Sequence, residues 1–290
     1  MVSIDYNDLD EFWKAVSPIE GRFGNSSSNF VFRGQSDAGW DLVPKAYRPD
    51  VIARYKLGLM AAMRDHPGQV FFEWSLLHAF IYYCDSAGLA IPNDSVEFRA
   101  YFDNISRFST TFAIHTKDWP QDEVVGLMAL AQHHGVPTRL LDWCARPYVA
   151  CYFAAASAVL VGVDGAKRLA VFALDLGTTR SIALGIRHVK VPGSTSANLA
   201  VQGGSFTLVE NSGYRGDDFT PNVSVESRLA GTPVSLIKFT LPQLLAPQLL
   251  DRCEKFGVTA ATVFPGFDGA GRAVLESTLA WAHLAAASGR

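Results

Sequence analysis

The chain has 290 residues, 49% of them hydrophobic, with 25 Lys and Arg against 28 Asp and Glu and a formal net charge of −3. This is too apolar for a disordered chain and long enough to bury one large core. The charge and a pI near 6.2 exclude a general attraction to duplex nucleic acid or anionic membrane.

The opening run Met1–Glu11 is acidic and lacks a basic segment followed by an apolar one, so no secretory signal is expected. The most apolar stretch, 147–163, contains Tyr, Ser and Gly and ends before the roughly 20 apolar residues that a bilayer span needs. It reads as a buried helix, and the protein as cytoplasmic with no membrane contact. Cys84, Cys144, Cys151 and Cys253 are scattered, with no C-x-x-C pair and no His at zinc-finger spacing. Reduced thiols are expected, without a disulfide framework or structural metal.

In chain order, residues 7–16 place apolar groups at helical spacing behind Asp8, Asp10 and Glu11, which predicts a helix ending near Pro18. Asn25–Asn29 reads as a polar loop leading into Phe30-Val-Phe-Arg-Gly, a strand with Arg33 near its end. Residues 51–134 are helical in pattern, in four stretches: Leu57 to Met63, Phe71 to Cys84, Val96 to Phe112 and Val124 to Ala131. The second half carries the sheet. A helix over 146–159 precedes strands at 169–174, 206–209 and 234–239, then a helix over 244–256 ended by Gly257, a strand over 258–264 and a closing helix over 270–286.

Four segments concentrate polar chemistry. In Phe32-Arg33-Gly34-Gln35, the guanidinium fork can grip a carboxylate or phosphate where Gly34 lets a ligand approach the backbone; pairing with a structural carboxylate is the plainer alternative. The densest run is Gln132-His133-His134-Gly135-Val-Pro-Thr138-Arg139-Leu-Leu-Asp142-Trp143. A preformed polar site has this look, and so has a helix end at Gly135 with Asp142 capping the next helix. Adjacent histidines cannot share a helical face, which disfavours a metal. Val201-Gln202-Gly-Gly-Ser-Phe206 allows close backbone approach or a bulge, and Phe264-Pro-Gly-Phe-Asp268-Gly269 reads mainly as a helix N-cap. There is no G-x-S-x-G elbow, phosphate-binding P-loop or dinucleotide fingerprint, and Cys144 and Cys151 are expected in buried helix.

Taken together, these segments resemble the FRG domain family, named for the motif present here as Phe32-Arg33-Gly34. The resemblance runs from Phe32 to about Ala273 and implies a single domain spanning 1–290, with a core of about 25–275 and the helical region 51–134. At greater distance, Val31 to Gly34 resembles the strand of Arg-Ser-Glu ADP-ribosyltransferases whose Arg holds the NAD pyrophosphate, and Leu140 to Ala154 is similar to their second motif. This likeness implies an α+β fold, an ADP-ribosyltransferase-like mixed sheet with a large helical insertion or subdomain. It implies NAD as substrate, ADP-ribose transferred to a macromolecule (protein or nucleic acid) or to water, and the setting of a toxin or defence effector, with a regulatory or immunity partner.

On that likeness the catalytic set is Arg33, His134, Thr138, Asp142 and Gln202, and the ligand-binding set is Phe32, Gly34, Gln35, Gln132, His133, Arg139, Trp143 and Tyr148. Arg33 would grip phosphate, Thr138 and Asp142 would lie near the ribose, and Trp143 or Tyr148 would line the nicotinamide pocket. The third motif's Glu has no counterpart, since Gln202 and Ser205 occupy its place and the next acid is Glu210. A sensor that binds a nucleotide or a nucleic-acid end without turnover uses the same residues, and so does a buried polar network that only fixes the fold.

Overall fold

The computed structural model describes residues 1–19, 23, 30–58, 60–112, 115–177, 185–193, 201–232 and 236–287; the polar loop expected over 25–29 lies outside them. Seven strands form one mixed sheet in the order β1-β7-β4-β2-β3-β6-β5. They are β1 (Val2–Asp5), β2 (Phe30–Gln35), β3 (Leu140–Cys144), β4 (Arg168–Asp175), β5 (Ile186–Val189), β6 (Gly204–Val209) and β7 (Leu236–Pro242). Among the described residues only β1 and β7 pair in parallel; every other neighbouring pair is antiparallel.

The helices are α1 (Leu9–Val16), α2 (Pro49–Tyr55), α3 (His66–Ser86), α4 (Val96–Asp103), α5 (Ile105–Phe112), α6 (Asp122–His133), α7 (Pro147–Val161), α8 (Val225–Leu229), α9 (Ala246–Lys255), α10 (Ala260–Val263) and α11 (Phe267–Ala287). Helices α2 to α6 all fall between β2 and β3, two strands that are neighbours in the sheet.

Three apolar clusters hold these layers together. Helices α1, α7, α9 and α11 cover one face of the half-sheet β2-β4-β7 through Phe12, Ala150, Ala154, Leu249 and Ala280 against Phe32, Val171 and Phe239. The opposite face packs Val31, Trp143 and Phe172 against Leu42, Tyr47, Val51 and Val225. Helices α3, α4 and α6 close over Leu140, Phe206 and Leu208 of β3 and β6. The sequence of α7 is apolar on nearly all sides, as a helix enclosed by a sheet and two other helices must be. Its alanines let it lie close to β2: a Cβ on Gly34 would sit 1.9 Å from the Ala150 carbonyl oxygen. Gly34 therefore serves helix–strand packing, and not the ligand approach expected from the sequence.

Several local expectations are corrected. The first helix of the helical region is Pro49–Tyr55, with Pro49 at its N-terminus, and it ends before Leu57, because Gly58 takes a φ of +98°. The stretch 96–112 breaks at Asn104 into α4 and α5. Residues 258–264 form no strand: Thr259 and Thr262 build a capping box that starts the short helix α10. Asp268 lies in the first turn of α11. Asp142 and Cys144 belong to strand β3, so Asp142 caps nothing and Cys144 is not helical. Strands β1 and β5, four residues each, have little period-2 signal. The four cysteines are buried free thiols. Among the described residues no helix is long and apolar enough to cross a membrane.

Replacing Gly34 with Ala should push α7 off β2 and destabilise the fold by about 1–3 kcal/mol, the usual range for overpacking. A urea midpoint well below that of the wild type is the expected result; an unchanged midpoint would show that the helix can shift at no cost.

Candidate functional site

The site arises from an interruption in the sheet. Strand β2 pairs with β4 along its whole length, from Phe30 opposite Asp175 to Gln35 opposite Ala170, and β3 pairs with β6 from Leu140 to Cys144. Between β2 and β3, however, only Phe32 and Cys144 are in register. Beyond that pair the strands part, and the crevice between them opens into a cleft of about 810 Å3. This is the size of a small-molecule site. The walls come from β2 and β3, from Gln132 and His133 at the end of α6, from Phe153 and Ser157 of α7, from Trp40, Asp41, Arg48 and Asp50 after β2, and from Gln202, Asn222 and Phe264.

Arg33 spans the gap. Its Nη1 donates to the Asp142 carbonyl oxygen at 2.9 Å and lies 3.6 Å from the Asp142 carboxylate. The guanidinium side chain is 17% exposed and the carboxylate side chain 61%, so the cation is largely enclosed while the anion opens to solvent. Burial lowers the Arg33 pKa and Asp142 partly offsets that; an arginine stays protonated regardless. Two enclosed atoms have no partner among the described residues, Arg33 Nε and Gln35 Oε1. One is a donor and the other an acceptor, and both are shielded from solvent.

Helix α6 ends at Gly135 (φ +91°), with Gly135 N–H donating to Gln132 and Val136 N–H to Ala131. That ending places Gln132 in the last turn, facing β3. Its Nε2 donates to Asp142 Oδ1 at 2.5 Å, and its Oε1 accepts from the Thr138 hydroxyl. Thr138 Oγ1 in turn accepts from the Leu140 N–H at 3.2 Å. A continuous chain of hydrogen bonds thus links Thr138, Gln132, Asp142 and Arg33.

The structure gathers Phe32, Arg33, Gly34, Gln35, Gln132, His133, Asp142, Trp143 and Gln202 on the cleft. Other expected members stand elsewhere. Thr138 is 1% exposed and acts through Gln132. His134 caps α6 and stacks near Phe80, with ring centroids 6.5 Å apart, so His133 is the histidine on the cleft. Burial and the neighbouring His134 push the His133 pKa down. Tyr148 stacks on Trp13 at 4.0 Å and its hydroxyl bonds to Ser17, away from the cleft. Trp143 Nε1 donates to Thr207 at 2.9 Å and the indole is 3% exposed, so it is a core ring with only an edge on the cleft. Gln202 Nε2 donates to the Val263 carbonyl at 3.2 Å. Gly203, with φ +60°, makes the turn that brings it there. Cys144 also lines the cleft, but burial pushes its thiol up to about 12, which removes it as a nucleophile near neutral pH.

Arg139 is fully buried behind the site. It forms a two-pronged pair with Glu73 of α3, at 2.6 and 2.9 Å, and donates to the Trp119 carbonyl at 3.2 Å. Burial alone would lower its pKa, but Glu73 and Tyr47 outweigh that and raise it. It is an architectural residue that ties the helical region to the start of β3. Glu73 carries no sequence signal, being one acid in an apolar helix. The cleft residues Phe153 and Ser157 could have been found from their i, i+4 spacing on α7; Asp50 and Asn222 had no such signal.

The FRG domain family model matches residues 28–159, which takes in β2, the helical region, β3 and nearly all of α7. Residues 28–159 are thus similar to the FRG domain, and Gln202 and Phe264 lie outside the matched residues. No curated protein and no solved structure matches it.

Removing Arg139 as Arg139→Ala should cost about 3–5 kcal/mol by stranding the buried Glu73 carboxylate, whereas the double change Arg139→Met with Glu73→Leu should recover most of that loss. Chemical denaturation of the three proteins checks this; a double variant no more stable than Arg139→Ala would contradict it.

Proposed function

We propose that the β2–β3 cleft binds NAD and breaks its nicotinamide–ribose bond, passing ADP-ribose to a macromolecular acceptor or to water. One observation carries this reading. The strands bearing the Arg33, Asp142 and Gln202 segments stand side by side as β2-β3-β6, and those three side chains meet on one open cleft. An NAD-cleaving site of the kind the sequence resembles requires such convergence, with the helical region inserted between the first two strands.

In this reading Arg33 grips the pyrophosphate through the part of its guanidinium that is open to the cleft, while its Nη1 stays on the Asp142 carbonyl. The Asp142 carboxylate accepts from the ribose hydroxyls. As the glycosidic bond breaks, nicotinamide leaves as a neutral base with the bonding pair, and positive charge builds on the ribose; a fixed carboxylate close by stabilises that charge. The acceptor attacks the same carbon and loses a proton. His133, whose lowered pKa leaves it neutral near pH 7, stands on the cleft to take it. Phe153 and Phe264, 5.9 Å apart edge to face, offer an apolar wall for the base.

A second reading rests on Gln202. Its amide is engaged with Val263, and no carboxylate stands at the place of the third motif's Glu. A cleft that binds a nucleotide without turnover fits that substitution.

Incubating the purified protein with NAD and measuring nicotinamide by chromatography separates these. The wild type should release nicotinamide and Arg33→Ala should lose about 10²–10³-fold, the scale for removing one preorganised charge-stabilising donor. Saturable NAD binding without nicotinamide would establish the sensor reading, and absence of binding would overturn both.

A further inference from the structure

With Asp142 as a carboxylate, the hydrogen bonds around Gln132 run in one direction. Thr138 Oγ1 accepts from the Leu140 N–H, and its single proton goes to Gln132 Oε1. That fixes the amide so that Nε2, which can only donate, faces Asp142 Oδ1 at 2.5 Å. Turning the amide over would set two acceptor oxygens against each other at that distance. Asp142 Oδ1 is therefore committed as an acceptor, and Oδ2, 3.6 Å from Arg33 Nη1, is the oxygen that remains.

We infer that Gln132 is the positioning residue of this site: oriented by Thr138, it holds the Asp142 side chain in a fixed rotamer, and leaves Oδ2 for the hydroxyls of the bound ribose. The inference rests on the NAD-cleaving reading for its consequence, but not for its geometry. Without the amide, an aspartate side chain that is 61% exposed would be free to rotate away from the ribose.

Gln132→Glu is the decisive variant. A protonated Glu can donate to Asp142 as the amide does, and an ionised Glu sets a second negative charge against Asp142. The charged groups facing Asp142 are Arg33 from β2 and His133 from α6, with Arg48 acting on Arg33 across the cleft. All three are present in wild type and variant alike, so the difference between the two pH profiles isolates position 132.

Nicotinamide release from NAD should be followed from pH 5 to 9 for wild type, Gln132→Glu and Gln132→Met. The expected kcat of Gln132→Glu approaches wild type near pH 5 and falls about 10²-fold toward pH 8, the scale of a misplaced catalytic group; wild type and Gln132→Met lack that limb, and Gln132→Met is slow throughout. A Gln132→Glu profile superimposed on wild type overturns the inference. If the wild type itself releases no nicotinamide, the proposed function fails and the positioning role is read instead from crystal structures of wild type and Gln132→Met. An Asp142 side chain that leaves its wild-type rotamer in Gln132→Met supports the role, and an unmoved one overturns it.

Discussion

Everything distinctive about this protein depends on a sheet that is interrupted between its two central strands. β2 and β3 meet at Phe32 and Cys144 and nowhere else in register, while each is fully paired on its outer side. Helix α7, which follows β3, turns back to cover β2, and α6, which precedes β3, covers β3 and β6. Residues of both helices, Gln132 and His133 of α6 and Phe153 and Ser157 of α7, line the cleft that opens where the strands part. Close packing of α7 on β2 at Gly34 and the buried Arg139–Glu73 pair beside β3 keep the two halves of the sheet in place.

Within the crevice, polar groups are held by one another and leave specific atoms unspent. The chain from Thr138 to Arg33 satisfies the amide, one carboxylate oxygen and one guanidinium nitrogen. What remains open is the exposed side of Asp142 and the accessible part of the Arg33 guanidinium beside it. A ligand combining an anion with hydroxyl donors matches that pair.

The sequence made some of this legible and hid the rest, for physical reasons. Long apolar periodic segments such as α3, α6 and α7 were readable because their patterns are strong, and Arg33 and Asp142 because they sit in dense polar motifs. The short strands β1 and β5 and the helix α10 were not, since four residues carry too little pattern against tertiary pairing. Adjacent motif residues also look equivalent in one dimension: of His133 and His134 only the first lines the cleft, and Thr138 bonds to Gln132 while its neighbour Arg139 turns to Glu73. Arg139 was read as ligand-binding because its counter-ion, Glu73, is 66 residues away in the chain and unmarked by any motif. Tyr148 was misassigned likewise, its stacking partner Trp13 lying on the first helix.

The claim that matters most is that this cleft is a nucleotide site organised by Arg33 and Asp142. Its most direct test is a crystal structure of the protein with a non-cleavable NAD analogue. A phosphate oxygen within hydrogen-bond distance of the Arg33 guanidinium, together with a ribose hydroxyl on Asp142 Oδ2, is the predicted result. An analogue bound elsewhere, with the cleft empty, would contradict it.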